Sequence, residues 1–348
     1  MTSRPDPPAP SGSASTPSSH LFLDAEAVAR HLTMEMTLEA VEEAFRAVSS
    51  GGAIQPVRTH LHLPEERGQF LVMPGHLASP PALGAKLLTL VPGNEARGLP
   101  THQSLIVLFH PETGMLRALV ESDGVTAART GAASAVATRC LARSDASELA
   151  LLGAGLQARS HLEAMLAVRP IRRVRVWSRT RARVDAFLAW GRVWLEAQEG
   201  QSQRNESVEL VAAATPEEAV RGTRLICTLT ASPTPILKGE WLEPGVHVNA
   251  IGAHTPTTRE LDSAAVARSR CFVDQREAAL AEAGEFRIPM DEGRIEEDHI
   301  LAEIGQLLKG EVEGRTGPRD RTLFKSLGLA AQDLATATRL VERVDAIG

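Results

Sequence analysis

The chain has 348 residues, a formal net charge of −6, and 43% hydrophobic against 23% charged residues, which suits about two globular domains at roughly 150 residues each. No apolar run approaches the ~18 residues that span a bilayer, which excludes a membrane-spanning chain, and the basic residues are interspersed with acids instead of massed, which argues against nucleic acid. Aromatic residues make up 3% with no tyrosine, removing base-stacking platforms, and Cys140, Cys227 and Cys271 lie too far apart for a zinc site or a disulfide framework, which suits the reducing cytoplasm.

Residues 1–19 are almost wholly Pro, Ser, Ala, Thr and Gly and predict a disordered tail, without the basic start and apolar centre of a secretory signal. From His20 onward one helix is predicted, with Leu38, Val41, Ala44, Phe45 and Val48 at helical spacing and Gly51-Gly52 as its stop. The alternation over 59–63 and the apolar runs 70–73, 85–90 and 104–109 predict strands closed by Pro or Gly, so this region reads as α+β. Residues 124–146 are rich in helix formers and small side chains, and 148–152 form an apolar strand running straight into glycine. Beyond it, strands at 174–177, 208–211, 225–229, 246–250 and 271–274 alternate with helices at 181–199 and 216–220, as a parallel doubly wound sheet requires. Residues 199–205 read as a polar loop insertion and 311–321 as a link. A last helix over 326–344 is expected to rejoin the first region.

Gly153-Ala154-Gly155-Leu156-Gln157-Ala158 places a G-x-G-x-x-A turn between strand and helix. The first glycine permits the tight turn, the second lets backbone amides approach a pyrophosphate, and Ala158 lets helix and strand pack closely. An NAD site expects an acid about 20 residues on, at the ribose 2′-hydroxyl, whereas Ser178-Arg179-Thr180 follows the next strand here. A guanidinium with two hydroxyls suits a 2′-phosphate, so NADP(H) is preferred and NAD(H) stays open.

Three cations, Arg58, Lys86 and Arg129, stand at strand ends or turns of the first region, where convergence would bind a carboxylate. His60 and His62 share a strand face but lack a third ligand at recognisable spacing, so no metal site is expected. Asp274, closing a strand, reads as an exposed loop acid.

These cations and the glycine turn stand among further motifs: Gln55-Pro56-Val57-Arg58-Thr59, Pro100-Thr101-His102-Gln103, Val125-Thr126-Ala127-Ala128-Arg129-Thr130, His247-Val248-Asn249-Ala250-Ile251-Gly252-Ala253 and Phe324-Lys325-Ser326-Leu327-Gly328. In this order, from about Leu21 to the C-terminus, they resemble the ornithine cyclodeaminase/mu-crystallin family, and within it the mu-crystallin (ketimine reductase) branch. The fold expected is α/β: a Rossmann-type doubly wound parallel sheet domain plus an α+β substrate and dimerisation domain. The resemblance implies a homodimer, with residues 20–129 and 320–348 forming the substrate domain and 130–319 the NADP-binding domain. It also implies that Arg58, Lys86 and Arg129 hold the substrate carboxylate, with Lys86 handling a proton at the nitrogen. Thr101 matches a pocket position. The cofactor set is Thr130, Gly153, Gly155, Leu156, Gln157, Ala158, Ser178, Arg179, Thr180, Thr228, Gly252 and Ser326, with Gly328 on the same loop near the nicotinamide.

One position departs from the family pattern. Ornithine cyclodeaminases and related alanine dehydrogenases carry an Asp shortly after the Asn-Ala-Val/Ile-Gly strand, and this chain has His254, which weakens the deaminating readings. The expected activity is NADPH-dependent reduction of a cyclic ketimine carboxylate, Δ1-piperideine-2-carboxylate or Δ1-pyrroline-2-carboxylate, to the cyclic amino acid. The alternatives are ornithine cyclodeaminase or alanine dehydrogenase activity, and a non-catalytic protein that holds NADPH and a small ligand. The small-molecule imine or amino acid is the expected partner, with neither nucleic acid nor membrane.

Overall fold

The computed structural model describes residues 20–198 and 208–347; the expected tail at 1–19 and insertion at 199–205 lie outside the described residues. The first region opens with β1 (Leu21–Leu23), α1 (Ala25–His31) and α2 (Met34–Ser49). A single helix was expected here, but the Asp24 carboxylate accepts from the Ala27 amide at 2.8 Å and the Thr33 hydroxyl from the Met36 amide at 3.4 Å. Two side-chain caps therefore start two separate helices. Strands β2 (Ala53–Ile54), β3 (Thr59–His62), β4 (Gln69–Leu77), β5 (Ala82–Leu90), β6 (His102–Phe109) and β7 (Leu116–Glu121) follow, then the long helix α3 (Asp123–Leu141). They form one sheet in the order β1-β7-β6-β5-β4-β2, with β3 paired to β4.

Along β4 and β5 burial alternates residue by residue, the period-two pattern of a sheet with one covered face. Leu71, Met73, Lys86, Leu88 and Ile106 point inward, whereas Val72, Leu87 and Leu105 form a half-buried cross-strand row on the outer face, beside Ala85, Val107 and Leu119.

The second region runs β8 (Glu148–Leu152), α4 (Leu156–Val168), β9 (Arg173–Trp177), α5 (Arg181–Gln198), β10 (Glu209–Ala212), α6 (Pro216–Val220), β11 (Leu225–Thr228) and β12 (His247–Ala250). It continues with α7 (Ser263–Ala267), β13 (Arg270–Val273), α8 (Arg276–Glu282), α9 (Gly284–Asp291), β14 (Ile300–Glu303), α10 (Ile304–Leu308), β15 (Thr322–Lys325) and α11 (Ala330–Asp345). All eight strands pair in parallel, in the order β10-β9-β8-β11-β12-β15-β13-β14. The order reverses between β8 and β11, the switch point where a doubly wound sheet opens a crevice at its strand ends.

Two expectations change here. Residues 322–325 form a strand inserted between β12 and β13, so the second sheet reaches past the boundary expected at 319/320, and the boundary expected at 129/130 falls inside α3. The last helix starts at Ala330, because Ser326, Leu327 and Gly328 are tied instead into a turn by Asp274. From there α11 packs back across β4, β5 and β6 of the first sheet and against α2 and α3, burying Leu334, Leu340 and Val341. Each such side chain stabilises the docking by roughly 1.5–3 kcal/mol.

Candidate active site

The crevice at the switch point starts from two residues that continue paired strand ends. Leu152 of β8 registers with Thr228 of β11, and Gly153 and Leu229 follow them. Gly153 has φ +129°, and a Cβ there would stand 2.7 Å from the Leu229 carbonyl oxygen, so the turn requires glycine. Gly155 is the N-cap of α4, which has no side-chain cap, and the space beside it is open. Uncapped amides at a helix N-terminus facing open space are what a pyrophosphate takes up. Ala158 is fully buried and Leu156 is exposed, while Gln157 reaches into the adjoining cleft.

Gly153 and Gly155 share a cavity of about 280 Å³ with Ser178, Arg179 and Thr180 from the end of β9. Through Leu229, Thr230 and Ala231 it meets a second cleft of about 340 Å³ between the two sheets. Gly153, Gly155, Ser178, Arg179 and Thr180 on one and Gln157 on the other make a donor set that fits a dinucleotide, whereas Leu156 lines neither. Thr130, Gly252 and Ser326 line the second cleft. Thr228 does not line either cavity: it is fully buried and its hydroxyl donates to Glu260 at 2.7 Å. Glu260 also accepts from the amides of Thr230 and Gly252 at 2.6 and 2.7 Å, bracing both loops that face the cleft. Burial raises the Glu260 carboxyl, against the hydrogen bonds that favour its charge. Glu285, accepting from the Glu260 amide, pairs with Lys325 at 3.1 Å, and Lys325 donates to the Ala253 carbonyl.

The three expected cations converge in that cleft. Lys86, from the middle of β5, is 1% exposed and Arg129, from α3, is 6% exposed. The Nε of Arg129 donates to Asp333 at 2.9 Å, and the Lys86 Nζ donates to the same Asp333 oxygen at 3.4 Å and to the Thr126 hydroxyl at 2.5 Å. Arg58 donates through Nη2 to the carbonyls of Leu327 and Gly328 at 3.0 and 3.1 Å, with Glu282 3.2 Å from its Nε. Burial lowers the Lys86 ammonium to about 8; Asp333 opposes that shift, and Arg129 and Arg58 add to it. Burial alone would raise the Asp333 carboxyl, but Arg129 and Lys86 outweigh it and hold it below its usual value. Arg129 and Lys86 thus share Asp333 while Arg58 pairs with Glu282, and all three cations line the cleft.

The inward floor beside Lys86 is apolar: Leu71, Met73, Leu88 and Leu90. His254 lines the opposite side, its Nδ1 3.2 Å from the Gly252 carbonyl. Its side chain is exposed, yet the protein packed around it lowers its basicity, desolvation being the largest cause and Lys325 and Arg58 adding to it. Thr101 is exposed and outside the cleft; its neighbour His102 is the residue on the wall, with Nδ1 3.1 Å from Asp123. Asp274, expected to be an exposed acid, is fully buried and accepts from Ser326 Oγ and from the amides of Leu327 and Gly328 at 3.0, 2.7 and 2.9 Å. His60 and His62 stack on the exposed strand β3, away from the cleft. Cys227 and Cys271 are buried among apolar residues, which raises both thiols.

Residues 18–347 match the profile of the ornithine cyclodeaminase/mu-crystallin family. The chain belongs to that family. Among its members, the ketimine reductase mu-crystallin of Mus musculus is 37% identical over 320 residues, covering 91% of this chain and 95% of the relative. The solved structure of Thermococcus litoralis Δ1-pyrroline-2-carboxylate reductase with NADH and L-proline superposes with a TM-score of 0.88 at 36% identity, covering 94% of this chain and 98% of that one. An archaeal alanine dehydrogenase dimer with bound NAD gives 0.85 at 33% identity, with 94% and 97% covered. The sequence expectation of family and of a Rossmann-type α/β fold holds. Among the described residues no helix is long and apolar enough to cross a membrane.

Proposed function

We propose that this chain reduces a cyclic ketimine carboxylate, with a five- or six-membered ring, to the cyclic amino acid, using NADPH in preference to NADH. The carrying observation is the grouping of half-buried Arg58 with buried Lys86 and Arg129 in a cleft that adjoins the dinucleotide cavity. The three cations offer donors to one carboxylate, and the leucine floor takes ring methylenes but offers nothing to a second acid group. Gly153, Gly155 and Gln157 would hold the pyrophosphate end of the cofactor, Arg179 with Ser178 and Thr180 its 2′-phosphate, and Gly252 and Ser326 the nicotinamide side. When bound, that group supplies the hydride to the C=N carbon.

The rest of the chemistry falls to the protein. Arg58 and Arg129 orient the carboxylate so that the C=N carbon faces the dinucleotide side, and such positioning accounts for much of the rate. The buried walls exclude water from the C=N bond. Lys86, an ammonium near neutral pH, gives its proton to the ring nitrogen as the C=N π bond breaks, so that hydride on carbon and proton on nitrogen balance the reduction. A donor with a value close to the working pH is the efficient one.

Deamination of ornithine or alanine needs a base to take a proton from an ammonium, and His254 stands where the family's deaminating members carry an Asp, so the charge and geometry of that carboxylate are missing here. The half-buried apolar outer face of the first sheet supports a homodimer joined there, and the free cysteines support a cytoplasmic setting. The experiment is a panel of cyclic imines, ornithine and alanine with NADPH, NADH and their oxidised forms. Expected is NADPH consumption with cyclic imines; robust ammonia release from ornithine or alanine would overturn the assignment, and tight NADPH binding with no turnover would make the chain a binding protein.

A further inference from the structure

Asp333 has no part in the roles assigned so far, yet it is the most enclosed group at the carboxylate clamp. It stands in the first turn of α11, fully buried, where the helix N-terminus favours a negative charge. One of its oxygens serves both Arg129 Nε and Lys86 Nζ, and the other has no hydrogen-bond partner among the described residues. A brace for the helix would need one acceptor and no charge. A charge shared between two buried cations does something more: it offsets their mutual repulsion, and it opposes loss of the lysine proton.

We propose that Asp333 is a positioning residue that holds Lys86 as the ammonium and thereby fixes the alkaline limit of turnover. The inference rests on the reductive reading, in which Lys86 supplies a proton. The other charged or titratable groups facing Lys86 are Arg129 from α3, Arg58 from the segment before β3, Asp123 at the start of α3, and His102 and His254 on the cleft walls. Arg129 and Arg58 repel its charge. Among the described residues Asp333 is the one carboxylate in direct contact with it, so removing that charge releases the proton at lower pH.

The test is Asp333→Asn, which keeps an acceptor for Arg129 and removes the charge. The alkaline limb of the kcat/KM profile should move toward neutral pH by at least one unit, a tenfold loss on that limb. Near pH 6, where Lys86 stays charged, KM for the ketimine should be unchanged or lower, because the clamp then carries one more net positive charge. A uniform loss with raised KM at every pH would make Asp333 a brace only and overturn the proposal.

A readout without turnover is available because the chain has four lysines, Lys86, Lys238, Lys309 and Lys325. In protein labelled with 13C at the lysine ε-carbon, the Lys86 signal should titrate at least a unit lower in Asp333→Asn than in the wild type. Identical titrations overturn the proposal. A shifted titration in a protein that reduces no cyclic imine upholds the Asp333–Lys86 coupling and sinks only the reductase reading. Should the variant not fold, the wild type alone decides: a Lys86 already neutral at pH 7 would overturn the inference.

Discussion

Gly328 packs directly against the guanidinium of Arg129: a Cβ built on Gly328 would fall 2.4 Å from Arg129 Nη1. The backbone there is left-handed, with φ +79°, its amide is held by Asp274 and its carbonyl by Arg58. One residue without a side chain thus links two clamp cations to the turn facing the cleft.

Gly328→Ala follows from that contact. The left-handed backbone costs an L-residue roughly 1–2 kcal/mol, and the added methyl drives the Arg129 guanidinium off its position. Misplacement by about an ångström can cost on the order of a hundredfold in rate. Steady-state kinetics should show kcat/KM for the ketimine reduced by that order, with NADPH binding little changed. An unchanged kcat/KM would mean that Arg129 does not hold the substrate.

The glycine turn was legible because its signal is contiguous: a strand, Gly153, Gly155 and Ala158 within eleven residues, each answering one steric demand. Arg58, Lys86 and Arg129 were legible through the family resemblance, and the clamp brings all three together. Their acidic partners were not. Asp333 lies 204 residues beyond Arg129 along the chain and reads locally as an ordinary acid in a helix's first turn. Asp274 and Glu282 look equally like solvated charges. Nothing local reports that a turn 54 residues away donates two amides and a hydroxyl to Asp274. The strand β15 was missed because four residues ending in a lysine do not read as a buried strand. Lys325 is buried there with Glu285 from α9 and the Ala253 carbonyl as its partners.

Arg179→Ala should raise KM for NADPH by about ten- to a hundredfold, the range of a charged hydrogen bond at roughly 1.5–3 kcal/mol, and leave NADH nearly unaffected. Arg179 lines the cavity of Gly153 and Gly155 with Ser178 and Thr180, where no 2′-phosphate exists in NADH. Parallel titrations with both cofactors check this. Equal losses for the two would remove the basis for NADPH preference.

Turnover should be highest from mildly acidic to neutral pH and decline as pH rises through about 8. Burial lowers Lys86 to that value, so the donor is protonated below it and loses its proton above it. Lys86→Met should abolish reduction at all pH values while the dinucleotide still binds, seen as retained NADPH fluorescence enhancement. A rate that climbs steadily into the alkaline range would contradict Lys86 as the proton source.

Association should depend on the outer face of the first sheet. Val72, Leu87 and Leu105 make one cross-strand row and Ala85, Val107 and Leu119 the next, a contiguous apolar surface set between two registers of inward residues. Soluble monomers rarely leave such a patch open. Lys86 sits between Ala85 and Leu87 on the covered side of the same strand, so a partner on the outer face would stiffen the strand that carries it. The double variant Leu87→Glu with Val107→Glu places two carboxylates in that surface, where desolvating each costs several kcal/mol. In sedimentation velocity it should run at half the mass of the wild type, with lower kcat and an unchanged circular dichroism spectrum. A wild type that sediments as a monomer, or a variant that still dimerises, would move the subunit contact away from this sheet.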